Sequence, residues 1–329
     1  MAQSSNLSFP VRNVIFRADN SLYEELNPDV SASLGAFKTS NPHDGRFQRP
    51  NIHVSSTKSK FKKTVELILC VHGWENPDKK EPMTLIVLGV NLSCHDLNSR
   101  FQSVTIKLKF DEDDTSHPAN TAKANPQVVA YAPFVQQKRW NHTTATVTEN
   151  RESGGDLGVD KYVQAKVSAN NSSEFSYVRE YFDRGSAHPI YDKQTRRLRG
   201  VEWYCEQNEQ QEYGVMPNFH LAVLLKRSHD EDRAIPFKAK FEMRTEAGSR
   251  YDFEQGLRRV FRGLKPEDDP VYFDPSRDPD VNGVAGVGQR LFESIQIDNL
   301  GALAEGQFLS KLVDSAGGSL GGLEPMEAL

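Results

Sequence analysis

The sequence predicts an all-β protein, an antiparallel two-sheet β-sandwich, with a closed barrel as the alternative. Three observations carry that expectation. Apolar and polar residues alternate strictly at Val104-Thr105-Ile106-Lys107-Leu108-Lys109-Phe110 and at Phe237-Lys238-Ala239-Lys240-Phe241-Glu242-Met243-Arg244. Successive strand side chains point to opposite faces, so such a segment buries one face and wets the other. Many short segments of this kind follow one another, separated by loops rich in Gly, Asn, Asp and Pro, with no long helical period between them. No unit of about 20–50 residues recurs, which argues against a propeller or solenoid.

Taken in order, residues 1–60 are rich in Ser, Asn, Asp and Pro, with one candidate strand at Pro10–Phe16, and read as an irregular N-terminal arm. Residues 61–250 read as the β-sandwich domain. Val65–Val71 and Met83–Leu92 are apolar runs separated by the polar turn Glu75-Asn76-Pro77-Asp78-Lys79-Lys80. They predict a hairpin near the centre of a sheet, partly buried on both faces. Further strands are expected at about 101–110, 127–132, 143–149, 161–168, 200–206, 219–227 and 236–244. Between residues 201 and 206, Val201, Trp203 and Cys205 face one way and Glu202, Tyr204 and Glu206 the other, which makes Trp203 a core anchor. Gly214 and Pro217 then bracket a turn expected to return the chain as the next antiparallel strand. Residues 251–329 read as linker, a short amphipathic helix and a flexible tail. The helix is expected at Gly306–Ser315, with Phe308, Leu309, Leu312 and Val313 on one face. The glycine-rich stretch Gly317–Gly322 supplies the tail.

Composition narrows the function classes. At 329 residues the chain holds one large or two ordinary domains, and an apolar fraction of 37% suits a packed core with polar flanks. A net charge of −5 with both signs mixed argues against a bulk polyanion partner. The basic groups Lys58–Lys63, Arg196–Arg199 and Arg258–Arg262 lack any helix-turn-helix, zinc-finger or ribonucleoprotein motif, so nucleic acid is not the expected partner. Cys70, Cys94 and Cys205 form no CxxC pair and read as buried free thiols of a reducing compartment. The first residues show no signal-peptide pattern, and no apolar run approaches the roughly 20 residues of a membrane helix. A cytoplasmic or nuclear protein without membrane contact is expected, and the four Asn-x-Ser/Thr sequons at Asn6, Asn91, Asn141 and Asn171 are then coincidental.

Candidate chemistry is sparse. Val71-His72-Gly73-Trp74 looks like a hydrolase oxyanion loop, but no Gly-x-Ser-x-Gly elbow accompanies it, so a hairpin end is the better account. Asp278-Pro279-Asp280-Val281-Asn282-Gly283 matches the first half of a calcium loop, with Asp278, Asp280 and Asn282 as candidate ligands. The closing twelfth position holds Gln289 where a bidentate Glu belongs, which favours a solvated acidic linker. No cofactor is expected apart from that candidate calcium. Asp111-Glu112-Asp113-Asp114 reads as a solvated turn that discourages edge aggregation. The nine histidines show no metal-ligand spacing, and His95 beside Cys94 cannot pair with it because neighbours on a strand face opposite ways. Lys138-Arg139-Trp140-Asn141-His142 is the one aromatic cluster among polar neighbours. Trp140, Asn141 and His142 are therefore the candidate ligand-binding residues, by stacking on a sugar or planar group. The competing account has the tryptophan cover the open end of the core.

Two blocks are suggestive together. The first is Met83–Leu88 followed by Val104–Phe110. The second is Val201-Glu202-Trp203-Tyr204-Cys205-Glu206-Gln207-Asn208, then Gly214-Val215-Met216-Pro217, then Leu221–Arg227. Over residues of about 60–245 the chain resembles a group of uncharacterised filamentous-fungal β-rich proteins. The resemblance rests on structural motifs and implies no activity.

The expected function is a non-catalytic binding or interaction module whose partner is an unknown protein or small-molecule ligand. Two alternatives stand beside it. One is an isomerase- or cyclase-like enzyme with a pocket at one end of the β-domain, built from residues distant in sequence. The other is a calcium- or carbohydrate-binding, lectin-like protein.

Overall fold

The computed structural model describes residues 39–42, 47–55, 60–96, 99–112, 126–151, 173–193, 195–227, 229–230, 233–248, 268–283 and 286–316. The strands expected at Pro10–Phe16 and 161–168, and the glycine-rich tail, lie outside these residues. The described strands are β1 (Asn51–Val54), β2 (Phe61–Trp74), β3 (Pro82–Cys94), β4 (Ser103–Glu112), β5 (Gln127–Ala132), β6 (Lys138–Arg151) and β7 (Ser173–Tyr191). They continue as β8 (Leu198–Glu206), β9 (Asn218–Lys226), β10 (His229–Asp230), β11 (Arg233–Ala234), β12 (Phe237–Glu246), β13 (Val271–Phe273) and β14 (Asp280–Val281). Two helices, α1 (Val287–Glu293) and α2 (Phe308–Ser315), flank a 3₁₀ segment at Ile297–Ala304.

β10 and β11 pair with each other as a separate two-stranded sheet, and the other twelve strands form two antiparallel sheets that do not close into a barrel. One runs β1-β2-β3-β9-β5, with β14 also on β2, and the other runs β13-β12-β4-β8-β7-β6. The all-β sandwich is therefore the fold, and the barrel alternative falls. Alternation builds the space between the sheets. Val104, Ile106, Leu108 and Phe110 of β4 and Phe237, Ala239 and Phe241 of β12 are buried, and their register, Phe241 opposite Leu108, stacks them in rows. Trp203 of β8, 1% exposed, fills this space against the first sheet, as its position between Val201 and Cys205 predicts. Truncating an anchor of this kind to alanine costs about 3–5 kcal/mol.

β2 and β3 read as continuous apolar runs because both their faces are covered. Leu67, Cys70, Ile86 and Leu88 enter the space between the sheets. Leu69, Val71, Leu85 and Val87 pack outward, with Leu224 of β9, against Leu291, Leu300, Leu309 and Leu312 of the helical cover. Gly73 allows the close approach. A Cβ there would stand 2.2 Å from the Ile297 carbonyl oxygen. The glycine of His72-Gly73-Trp74 thus seats a 3₁₀ segment on a strand.

Several expectations are corrected. β8 and β9 belong to different sheets, so the segment 207–217 crosses between them and makes no hairpin. Both edges of β8 are already occupied, by β4 and by β7, and both edges of β9 by β3 and β5. Gly214, at φ 89°, still turns the chain, now within the crossing. β7 was not expected, since Asp183, Gly185 and Pro189 interrupt its pattern. Pro189 is tolerated because β6 pairs only as far as Gly185, leaving β7 as the sheet edge there. The packed region extends past residue 250. β13 and β14 join the two sheets, and α1 and the 3₁₀ segment precede the expected helix. On α2, Leu309, Leu312 and Val313 are buried as expected, but Phe308 is 51% exposed. β1 forms within the stretch read as an irregular arm.

Candidate functional site

The features open to a partner begin with β6 and β7. Their pairing runs from Lys138↔Gly185 to Arg151↔Ser173, whereas β8 pairs with β7 only from Arg184 onward. Residues 143–151 and 173–181 therefore continue past the end of β8 as a two-stranded ribbon. Among the described residues no further strand pairs with either of its edges. Thr144, Thr146 and Thr148 are exposed, and so is Val178 opposite Thr146, at 66%. A lone two-stranded ribbon is marginal in water, and a strand edge of this kind invites another strand.

The base of the ribbon holds the sequence-predicted residues Trp140, Asn141 and His142. A register shift between Trp140 and Thr143 puts Asn141 at φ 54°. The Asn141 amide donates to Asp183 Oδ2 at 3.2 Å, and the Asn208 amide donates to the Asn141 carbonyl at 2.8 Å and to Thr143 Oγ1 at 3.0 Å. The Asn208 backbone N–H donates to Asp183 Oδ1. Burial pushes the Asp183 carboxyl up, against the opposing pull of the Asn208 and Asn141 donors and the nearby Trp140 indole, which makes no well-formed hydrogen bond. Trp140 turns inward and stacks on Phe134, with centroids 5.9 Å apart and planes at 3°. His142 lies against Phe182, which Arg139 also covers at 4.4 Å. Structurally the trio pins the ribbon to the sandwich, with His142 exposed and the Trp140 face taken up by Phe134.

The expected calcium loop takes another form. Asp280 and Val281 pair with Cys70 and Leu69 as β14, Asn282 donates its backbone N–H to the Ile68 carbonyl at 2.8 Å, and Gln289 lies on α1. Asp278 is exposed, while burial raises the Asp280 carboxyl against the pull of Arg277. Among the described residues no group of three or more His, Cys, Asp or Glu side chains could hold a metal ion.

A cluster that the sequence did not announce sits between the sheets where β2, β3 and β9 end. Cys70 and His72 are two apart on β2 and so share a face, with Sγ and Nε2 3.6 Å apart. Gln48 Nε2 stands 3.0 Å from His72 Nε2, and Thr84, opposite His72 in register, places Oγ1 2.9 Å from Nδ1. Arg227 follows β9 on the same side. The i, i+2 spacing of Cys70 and His72 on an apolar strand is the sequence signal of this cluster. The cluster is not an activated dyad. Burial pushes the Cys70 thiol up to about 12, with Gln48 and Arg227 pulling against it, and burial together with Arg227 pushes His72 down to about 3. Both groups are neutral near pH 7, the reverse of a thiolate–imidazolium pair.

A second buried arginine closes the opposite kind of site. Arg49, 3% exposed, donates to the carbonyls of Thr39, Ile52 and Asp269 and to Asn41 Oδ1, at 2.8–3.4 Å. Asp268 accepts from the Thr39 N–H at 2.9 Å and pairs with His53 Nδ1 at 2.7 Å. Burial raises the Asp268 carboxyl, but His53, Thr39 and Arg49 outweigh it and hold the group below its ordinary value.

No family model matches the chain, and no curated protein matches it in sequence. Among solved structures it is similar to the Clostridium perfringens NetB toxin in the membrane inserted form. The identity is 7% over 69% of this chain and 91% of that chain, with a TM-score of 0.21, too slight a likeness to bear on fold or function.

Proposed function

We propose that the chain is a non-catalytic interaction module that recruits a protein partner by strand addition to the β6–β7 ribbon. The observation that carries this reading is the ribbon itself, which projects past β8 and has no further described strand beside it. Backbone hydrogen bonds to an incoming strand supply affinity, and alternate side chains supply specificity. The neutral Cys70–His72 pair supports the non-catalytic side of the reading.

Thr146→Pro tests it. Proline removes the residue 146 N–H and its ring crowds a strand laid alongside, so it disfavours strand addition. A protein captured by the wild-type chain should protect the amides of 143–148 and 176–181 from hydrogen exchange. It should also dissociate at least about tenfold faster from the proline variant. A partner that binds both chains alike and leaves those amides unprotected would end this proposal.

A further inference from the structure

Arg227 is a buried cation with no carboxylate partner among the described residues. It lies on the inner side of β9, continuing the alternation of Leu221, Val223 and Leu225, and is only 9% exposed. Among the described residues its guanidinium makes one long hydrogen bond, from NH2 to the Met83 carbonyl at 3.3 Å, and its buried Nε has no partner. Among the described residues no carboxylate pairs with it. Two carboxylates act on other members of the cluster, Asp280 on Cys70 and Asp274 on His72. Asp274 accepts from the Ser276 N–H at 3.0 Å and from Ser276 Oγ at 2.6 Å, and Asp280 is held in β14. Burial drives the Arg227 pKa down to about 10, with Cys70 pulling against it. An isolated buried charge is costly, and proteins normally pair it or leave it out.

The surroundings are polar but neutral. His72 is held between Gln48 and Thr84, and the Gln48 side-chain oxygen, in a residue 4% exposed, is a second buried polar atom without a partner. At this end of the sandwich His72 is half-buried and Arg227 retains 9% exposure.

We infer that the end of the sandwich bounded by Gln48, His72, Thr84 and Arg227 is a binding site for a small carboxylate-bearing ligand, with Arg227 as its cation. A guanidinium fork matches a planar carboxylate with two parallel hydrogen bonds. A single cation among neutral groups suits one negative charge better than a phosphate dianion. The site is independent of the ribbon, so either proposal can fail without the other.

The test is a titration of the full chain with sodium acetate against sodium chloride at equal ionic strength, followed by melting temperature and by the ¹⁵N-labelled arginine Nε–H resonances. The expected result is a saturable rise in melting temperature with acetate, absent with chloride, and lost in Arg227→Met. Arg227→Lys keeps the charge without the fork and should bind acetate about tenfold more weakly. Without acetate, Arg227→Met should melt no lower than wild type, because it removes an unpaired buried charge. No acetate-specific response, or one that persists in Arg227→Met, overturns the inference. If Arg227→Met does not fold, the Arg227 Nε–H resonance decides, assigned by its absence in Arg227→Lys. It must shift along the acetate isotherm, and a stationary resonance overturns the inference equally.

Discussion

Arg49 and Arg227 are both buried, both leave Nε without a partner, and do opposite things. Arg49 is surrounded by four oxygen acceptors and by Asp268 and Asp269, and joins residues 39–53 to residues 268–269. Arg227 has, among the described residues, one carbonyl acceptor and no carboxylate partner. The difference teaches that burial of a charge does not by itself indicate its role. A guanidinium supplied with oxygens is a clamp, and one held without them retains capacity for something outside the chain.

The sharpest way to break the comparison is Arg49→Met. It strands several buried acceptors and unbalances Asp268, so it should cost about 3–5 kcal/mol by urea unfolding, whereas Arg227→Met costs nothing. Equal losses for the two variants would erase the distinction.

Acid should come next in effect. His72 titrates near 6.5 unfolded and about 3 folded, so its contribution is full above pH 6.5 and is lost as pH falls toward 3. A melting-temperature profile of His72→Gln should be flatter than wild type across that window. Because Arg227 helps depress His72, Arg227→Met should shift the window's lower bound upward.

Asp268→Asn probes the clamp more gently. It should cost about 1–2 kcal/mol at pH 7. The Asp268 carboxyl is held below its ordinary 3.8, so its stabilisation is present above that value and disappears as pH falls through the folded pKa. The wild-type and variant profiles should therefore converge below about pH 3.8. Thr146→Pro should have the smallest effect on stability, within about 0.5 kcal/mol, because the ribbon lies outside the packed cores.

Much of the fold was legible in the chain. Period-two alternation over Val104–Phe110 and Phe237–Arg244 specified strands and their buried faces, and the unbroken runs of β2 and β3 specified cover on both sides. These are local signals, since each side chain's face follows from its neighbours' geometry alone. β7 escaped because the residues that break its pattern are accommodated by distant partners: Asp183 accepts from Asn141 and Asn208, Gly185 makes room for Phe134, and Pro189 lies where β6 no longer pairs. The separation of β8 from β9 escaped because Gly214 and Pro217 encode a change of direction, and only the prior occupation of both edges of each strand decides which sheet receives it. The sites divide in the same way. The sequence by itself determined that Cys70 and His72 share a face and that Trp203 points inward. Only the tertiary structure decided that Gln48, Thr84 and Arg227 meet them, and that Arg49 finds acids more than two hundred residues away. Contacts between distant segments follow from the packing of whole sheets, and no spacing along the chain records them.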